Sequence, residues 1–206
     1  ARFFHFYMHP WKRQGNFVQN SGSYLLQRLS ILLFKKADAV LVDNPLLVKE
    51  LGQILPNTDI RISTGGVEFL KIQQTKPNPS YGSTVLFLGR LSPHKGVYDA
   101  LKAWHIVNNV LPDAKLTFLG YCPSWEMDQI QNKIKDLNLT QAVSFPGFIH
   151  NRQLVYEYLR SSKLFLFLDH EAGFGLVVSE ALAAGLPVIS YDLPIFGSIY
   201  RQGYVS

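Results

Sequence analysis

The run from Leu164 to Ser190, LFLFLDHEAGFGLVVSEALAAGLPVIS, constrains the fold of this chain more than any other stretch. Leu164 to Leu168 is apolar without alternation, which marks a strand buried on both faces, as in a parallel sheet. A glycine-containing turn follows, and then a helix is predicted from Phe174 to Ala184. Gly185 stands where a helix C-terminal glycine belongs, and Pro187 prevents continuation. Val188 to Ser190 opens the next buried strand. Strand, turn and helix together aim backbone N–H groups at the crevice beyond the strand ends, where an anion binds well. Glu171 lies in the turn and Glu180 on the helix. One carboxylate at the mouth and one deeper suit the hydroxyls of a sugar or ribose beside a phosphate.

The same alternation extends upstream. Strands are predicted at Thr84 to Leu88, Lys115 to Leu119 and Ala142 to Phe145. Helices are predicted at Val97 to Val110, Trp125 to Leu137 and Asn151 to Ser161. Strands alternating with helices imply an α/β fold with a doubly wound parallel sheet. Lys76 to Gly82, KPNPSYG, breaks both periodicities and is the linker candidate. Before it come a strand-like run from Arg2 to Met8, a loop over residues 12–22, and a helix from Ser23 to Lys36. That helix has Leu25, Leu26, Leu29, Leu32 and Leu33 on one face. A short strand follows at Ala39 to Val42. Asn44 and Pro45 form a strong helix start, and the helix runs to about Ile54. A strand at Asp59 to Ser63 leads into Thr64-Gly65-Gly66-Val67. The expected division is residues 1–75 as the C-terminal part of one α/β domain, 76–83 as linker and 84–206 as a second domain.

With 206 residues, 47% of them hydrophobic, the chain can build one good core or one domain plus part of another. It begins inside a strand-like run and stops without a closing helix, as a fragment would. No apolar run is long enough to span a bilayer, and no signal-peptide layout is present. The single cysteine, Cys122, excludes an internal disulfide and fits a reducing, cytoplasmic compartment. It reads as a small packed residue rather than a nucleophile. The net charge of +5 is uneven: no Asp or Glu precedes Asp38, while Arg2, Lys12, Arg13, Arg28, Lys35 and Lys36 do. This basic, aromatic segment reads either as a core helix with solvated cations or as a peripheral surface against an anionic membrane. Nucleic acid is not expected, because no groove-reading or stacking motif accompanies the charge.

Gly89-Arg90-Leu91-Ser92-Pro93-His94-Lys95-Gly96 lies between the strand at 84–88 and the next helix. Arg90 and Lys95 bracket a helix N-terminus, where the dipole disfavours cations. A bound diphosphate reverses that sign, with Arg offering a fork and Lys a point charge. The alternative is a solvated loop carrying two surface cations. Gly120-Tyr121-Cys122 and Phe145-Pro146-Gly147-Phe148-Ile149 follow strands at the same sheet end and can serve simply as turns.

Phe174, Gly175, Glu180, Ala181, Ala183, Gly185, Pro187 and Val188, preceded by Gly89-Arg90 and Lys95-Gly96, resemble the donor-site signature of GT-B fold glycosyltransferases, specifically the large family 4. The resemblance implies two Rossmann-like domains. Residues 84–206 are the nucleotide-sugar donor-binding domain, and residues 1–75 are the end of the N-terminal, acceptor-side domain, where Gly66, Val67 and Glu68 approximate an Asn-Gly-Val-Asp turn. It implies a retaining transfer of a sugar from a nucleoside diphosphate to an acceptor hydroxyl on a glycan, a polysaccharide or a lipid-linked molecule. Arg90 and Lys95 would then stabilise the leaving diphosphate. Gly89, Gly173, Phe174, Gly175 and Leu176 would line it, Glu180 would hold the ribose, and Gly147 with Phe148 would cradle the base. His9, rather than His5, would lie near the anomeric centre, although a lone His is more often structural. The family places seven residues between its two glutamates. Here eight separate Glu171 from Glu180, and Ala172 occupies the strict position. A bulge at Gly173 would return Glu171 to the sugar. No metal or further cofactor is implied, since no Asp-x-Asp pair occurs. Two other readings remain open: a nucleotide-sugar-binding module without turnover, and a GT-B nucleotide-sugar epimerase.

Overall fold

The computed structural model describes residues 3–6, 29, 31–170 and 173–200. Two parallel sheets organise them. The first runs in the order β1 (Phe3–Phe6), β2 (Ala39–Val42), β3 (Ile60–Ile62), with Phe3 opposite Ala39 and Val40 opposite Ile60. Helix α1 (Pro45–Ile54) packs Leu47 and Leu51 onto β2 beside Val40, Val42 and Leu55. It starts where the sequence places it. The Asn44 side chain accepts the Leu47 N–H at 3.0 Å, and Pro45 occupies the first turn, where its missing N–H has no partner to lose.

The helix expected from Ser23 to Lys36 falls largely outside the described residues, and only 29 and 31–34 are helical among those described. Its packing face differs from the expected one. Leu29, Leu32 and Leu33 are exposed, while Phe34 is buried with Ile31 beside it. Apolar residues cover most of this helix's circumference, so periodicity cannot choose the face; the position of β2 and α1 does.

The second sheet has the order β6 (Val143–Gly147), β5 (Leu116–Leu119), β4 (Val85–Leu88), β7 (Leu164–Phe167), β8 (Val188–Ser190). All its pairings are parallel. The alternation of strand side chains separates two cores. Val85, Phe87, Leu116 and Phe118 face α3 (Val97–Val110) and α4 (Ser124–Asp136), meeting Val97, Leu101, Trp104, Ile130 and Ile134. Leu86, Phe165, Phe167 and Val188 face α5 (Arg152–Ser161) and α6 (Leu176–Ala183), meeting Val155, Leu159, Val178 and Ala181. Each fully buried Leu or Phe here contributes about 1.5–3 kcal/mol over an exposed one. The doubly wound α/β expectation therefore holds. The chain steps from β4 to β5 to β6 in one direction and returns to β7 and β8 on the other side. The strand order thus reverses between β4 and β7, and in open α/β sheets the ligand crevice lies beyond the C-terminal strand ends at such a reversal.

Four short helical elements among the described residues are absent from the sequence reading. One is the helix α2 (Phe69–Gln74), the second is a 3-10 turn at Pro79–Tyr81, the third is a 3-10 turn at Pro93–Lys95, and the fourth is the helix α7 (Pro194–Ile199). The first exposes Phe69 and Leu70 and buries only Ile72, too little periodicity to recognise over six residues. Tertiary bonds place it: the Gln73 side chain donates to Ala183 O, and Arg160 Nε donates to Thr75 O at 3.2 Å. The proposed linker is similarly held. Asn78 N–H donates to Ser161 Oγ at 2.8 Å, and Tyr81 stacks on Tyr158 with centroids 4.7 Å apart. Among the described residues no helix is long and apolar enough to cross a membrane.

Candidate functional site

The strand ends around the reversal point are packed backbone to backbone. Gly89 N–H donates to Leu119 O and Gly120 N–H to Gly147 O, each at 3.0 Å. A Cβ on Gly120 would stand 1.9 Å from Gly89 O, at a φ of +147°. Gly120 is thus required for close approach of two backbones, which supports its turn role over a ligand role.

The loop from Gly89 to Gly96 crosses from β4 to α3 and closes against the end of β7. Within it, Pro93–Lys95 forms a 3-10 turn, and Gly96 caps α3 in the left-handed region. A Cβ on Gly96 would lie 2.2 Å from Leu168 O. Beside this contact His170 N–H donates to His94 O at 3.0 Å, and the Lys95 ammonium pairs with the nearly buried Asp169 carboxylate. Lys95 is therefore already held by an anion, a partner that the motif alone does not reveal. Further out, His170 Nε2 meets Asp99 Oδ2 at 2.7 Å. That bond is the main cause holding the Asp99 carboxyl below the ordinary carboxylate range. Arg90 is exposed, with its guanidinium 5.9 Å from the centroid of the exposed Tyr121 ring.

Helix α6 begins two residues later than predicted. Gly175 is its cap, in the left-handed region at φ 73° and ψ 49°, and Gly173 and Phe174 belong to the turn before it. Gly175 O accepts from Val178 N–H at 2.8 Å. The N–H groups of Leu176 and Val177 open the helix ahead of any intrahelical acceptor. The loop after β3 lies against this turn, since a Cβ on Gly65 would reach Leu176 Cδ1 at 3.0 Å.

One turn along α6, the Glu180 side chain is only 13% exposed, as its apolar neighbours imply. It pairs with Arg152 at the start of α5. Burial pushes the Glu180 carboxyl above its ordinary range, and Arg152 pulls the other way. The Arg152 guanidinium sits 5.0 Å from the Tyr156 ring centroid. Tyr156 OH donates to Glu68 Oε2 at 2.8 Å, and Glu68 pairs with Lys71. The sequence reading includes Glu180 but not Arg152. The two are distant in the chain, and a lone Arg at a helix start carries no spacing signal.

At the end of β6, Gly147 adopts φ +86° with open space around its Cα. Phe148 is 58% exposed and meets His150 edge-on at 4.7 Å. The structure thus brings Gly89, Arg90, Lys95, Gly147, Phe148, Gly173, Phe174, Gly175, Leu176 and Glu180 to the loops and helix starts at the C-terminal end of one sheet. His9 and Glu171 lie outside the described residues. A cavity of about 310 Å³ lined by Tyr81, Lys115, Thr117, Ser144 and Tyr158 opens at the other end of β5 and β6 and is not part of this crevice. Among the described residues no cluster of three or more His, Cys, Asp or Glu side chains is placed to hold a metal ion. Chemically, the crevice offers an exposed guanidinium, a paired ammonium and a helix start to an anion, with a mostly buried carboxylate one helical turn away for hydroxyls.

Comparison with known proteins bears on the family and the fold. Residues 69–205 match the family described as glycosyl transferases group 1. The chain is 30% identical over 179 residues to the N-acetyl-alpha-D-glucosaminyl L-malate synthase of Bacillus anthracis, covering 82% of this chain and 45% of that protein. It is 32% identical over 114 residues to the poly(glycerol-phosphate) alpha-glucosyltransferase of Bacillus subtilis, covering 55% of this chain and 16% of that one. The fold is similar to that of a TarM variant of S. aureus crystallised with fondaparinux, alpha-GlcNAc-glycerol and UDP. That match has a TM-score of 0.69 and 19% identity, over 89% of this chain and 34% of that one. This chain therefore spans less than half the length of each of these relatives.

Proposed function

The chain belongs to the family of glycosyl transferases group 1, and we propose that it forms the donor-binding part of a retaining enzyme that moves a sugar from a nucleoside diphosphate to an acceptor hydroxyl. The observation that carries the reading is the convergence at one sheet end of the Gly89–Gly96 loop, with exposed Arg90 and paired Lys95, and the start of α6, one helical turn from the mostly buried Glu180. In this reading Arg90 and the first-turn N–H groups at Gly175, Leu176 and Val177 take the diphosphate oxygens. Lys95 has three donors, so it can bridge Asp169 and a phosphate, with Asp169 aiming it. Glu180 accepts the ribose hydroxyls, and Gly147 with Phe148 takes the base. His9 and Glu171 are assigned to the donor sugar by the family signature.

These groups act mainly by position and charge. Arg90, Lys95 and the helix start stabilise the diphosphate as negative charge develops on it, which is the transition-state contribution that raises rate. They supply that neutralisation without a metal. The acceptor hydroxyl attacks from the face the diphosphate leaves, and a departing phosphate oxygen takes its proton. Retention is supported by the B. subtilis relative, whose name specifies an alpha product. The phosphate of UDP-glucose is itself α, so an α product keeps the configuration. A lipid-linked acceptor at a membrane is favoured by one surface: exposed Leu29, Leu32 and Leu33 stand beside exposed Lys35 and Lys36.

The test is thermal stability of the chain with UDP, ADP and GDP, repeated on an Arg90→Ala, Lys95→Ala double variant. A nucleotide-dependent rise that the double variant loses supports the donor site. No rise with any of the three nucleotides refutes it for this chain.

A further inference from the structure

We propose that Arg152 is a specificity-determining residue of the donor site: its guanidinium engages one oxygen of Glu180 and leaves the other as the carboxylate's one uncommitted oxygen for the donor ribose. The inference rests on the donor-site reading of Glu180 given above. A carboxylate gripping a ribose ordinarily has two oxygens to offer two neighbouring hydroxyls. Here Glu180 Oε1 is engaged by Arg152. The guanidinium is half exposed but has a second contact beside Glu180. It lies over the ring of Tyr156, which is 2% exposed, and Tyr156 is tied through its hydroxyl to Glu68 and thence to Lys71.

The charged groups that act on Glu180 are Arg152 from α5 and Glu68 from the segment before the helix Phe69–Gln74; Glu68 is itself bonded to Tyr156 and paired with Lys71. On α6 itself, Ser179 is turned to Tyr200 OH at 2.7 Å. Arg152 is thus the cation that pairs with this mostly buried carboxylate, and its charge pulls the Glu180 carboxyl back toward the ordinary range against the effect of burial. Its position is only four residues beyond Phe148, between the proposed base loop and the ribose carboxylate.

The ribose pattern of binding reads this out. The tightest of UDP, ADP and GDP is carried forward with its 2′-deoxy and 3′-deoxy analogues, and dissociation constants are measured for wild type, Arg152→Gln, Arg152→Lys and Glu180→Gln between pH 6 and 8. Wild type is expected to lose roughly tenfold or more in affinity with one deoxy analogue and little with the other, because one charged acceptor meets one hydroxyl. At pH 8 Arg152→Gln frees both oxygens, so both analogues weaken. Without its cation the mostly buried Glu180 holds its proton to higher pH, so affinity for the parent nucleotide falls more steeply on acidification in Arg152→Gln than in wild type. Wild type and Arg152→Lys, which retain a cation, share the shallower profile set by the nucleotide's own phosphate ionisation. Equal losses with both analogues in wild type overturn the proposal, as does an Arg152→Gln variant with the wild-type pattern and pH profile. Wild type binding no nucleotide, or Glu180→Gln binding the parent as tightly as wild type, refutes the donor-site reading itself and the inference with it.

Discussion

Gly96→Ala tests the joint on which the crevice depends. Gly96 has φ +73°, and an added Cβ would sit 2.2 Å from Leu168 O, 2.6 Å from Leu168 Cβ and 2.9 Å from Leu168 C. Two of these atoms are backbone, so no flexible side-chain end can move aside. The left-handed conformation costs a non-glycine residue about 1–2 kcal/mol. Forcing the β4–α3 loop away from β7 adds about 1–3 kcal/mol of overpacking. Together these come to roughly 2–5 kcal/mol, or about 4–20 °C in Tm for a chain of this size. Gly52→Ala is the matched control. It lies in α1 with nothing within 4 Å of the added Cβ, so the helix gains about 0.5–1 kcal/mol and Tm rises by about 1–4 °C. Thermal and urea unfolding of both variants read the difference. A Gly96→Ala protein melting within about 1 °C of wild type would refute the close approach of Gly96 to Leu168.

Four other outcomes are expected. Arg90→Ala, at an exposed position, lowers nucleotide diphosphate affinity by about tenfold or more in a titration while leaving the melting temperature unchanged. Leu159→Ala, in the fully buried core under α5, lowers stability by about 2–5 kcal/mol in urea unfolding. Asp99 has a depressed folded pKa, so its contribution is present above the unfolded value and lost as pH falls through the folded one. Removing its partner by His170→Ala moves its carboxyl NMR titration up toward the ordinary value, near 4, and Asp99's share of the stability lost on acidification shrinks. Leu32→Glu, on the exposed leucine face beside Lys35 and Lys36, reduces co-sedimentation with phosphatidylserine vesicles; equal sedimentation of variant and wild type rejects that face as a membrane contact.

Much of the fold is legible because the information is local. Apolar runs announce strands, as at Val188–Ser190, where the bounds coincide; the expected burial holds for Val188 but not for Ile189, which is exposed because β8 ends the sheet. Val97–Val110 and Pro45–Ile54 likewise agree, since both have helical periodicity and the second has the Asn44-Pro45 start. The six-residue helix at Phe69 and the face of the helix ending near Phe34 escape, because fewer than two turns, or leucine on most sides, leaves no unambiguous period. The motifs that single out Arg90, Lys95 and Glu180 are legible for the same reason: each is a short pattern beside a strand–helix junction.

What the sequence by itself determined was therefore the α/β alternation, the strand–turn–helix junctions and the residue types brought to them. Only the tertiary structure decided who stands opposite whom. It ordered the sheet so that β4 and β7 are neighbours, which joins Lys95 to Asp169 across 74 positions of chain. It set α5 beside α6, which gives Glu180 its Arg152 across 28. Turn chemistry and periodicity act over a few residues, whereas these pairings depend on how the sheet is wound and which helix faces are buried together. A carboxylate's burial and its counterion are properties of that packing, so the environments of Glu180 and Lys95 could be read only after the chain had folded.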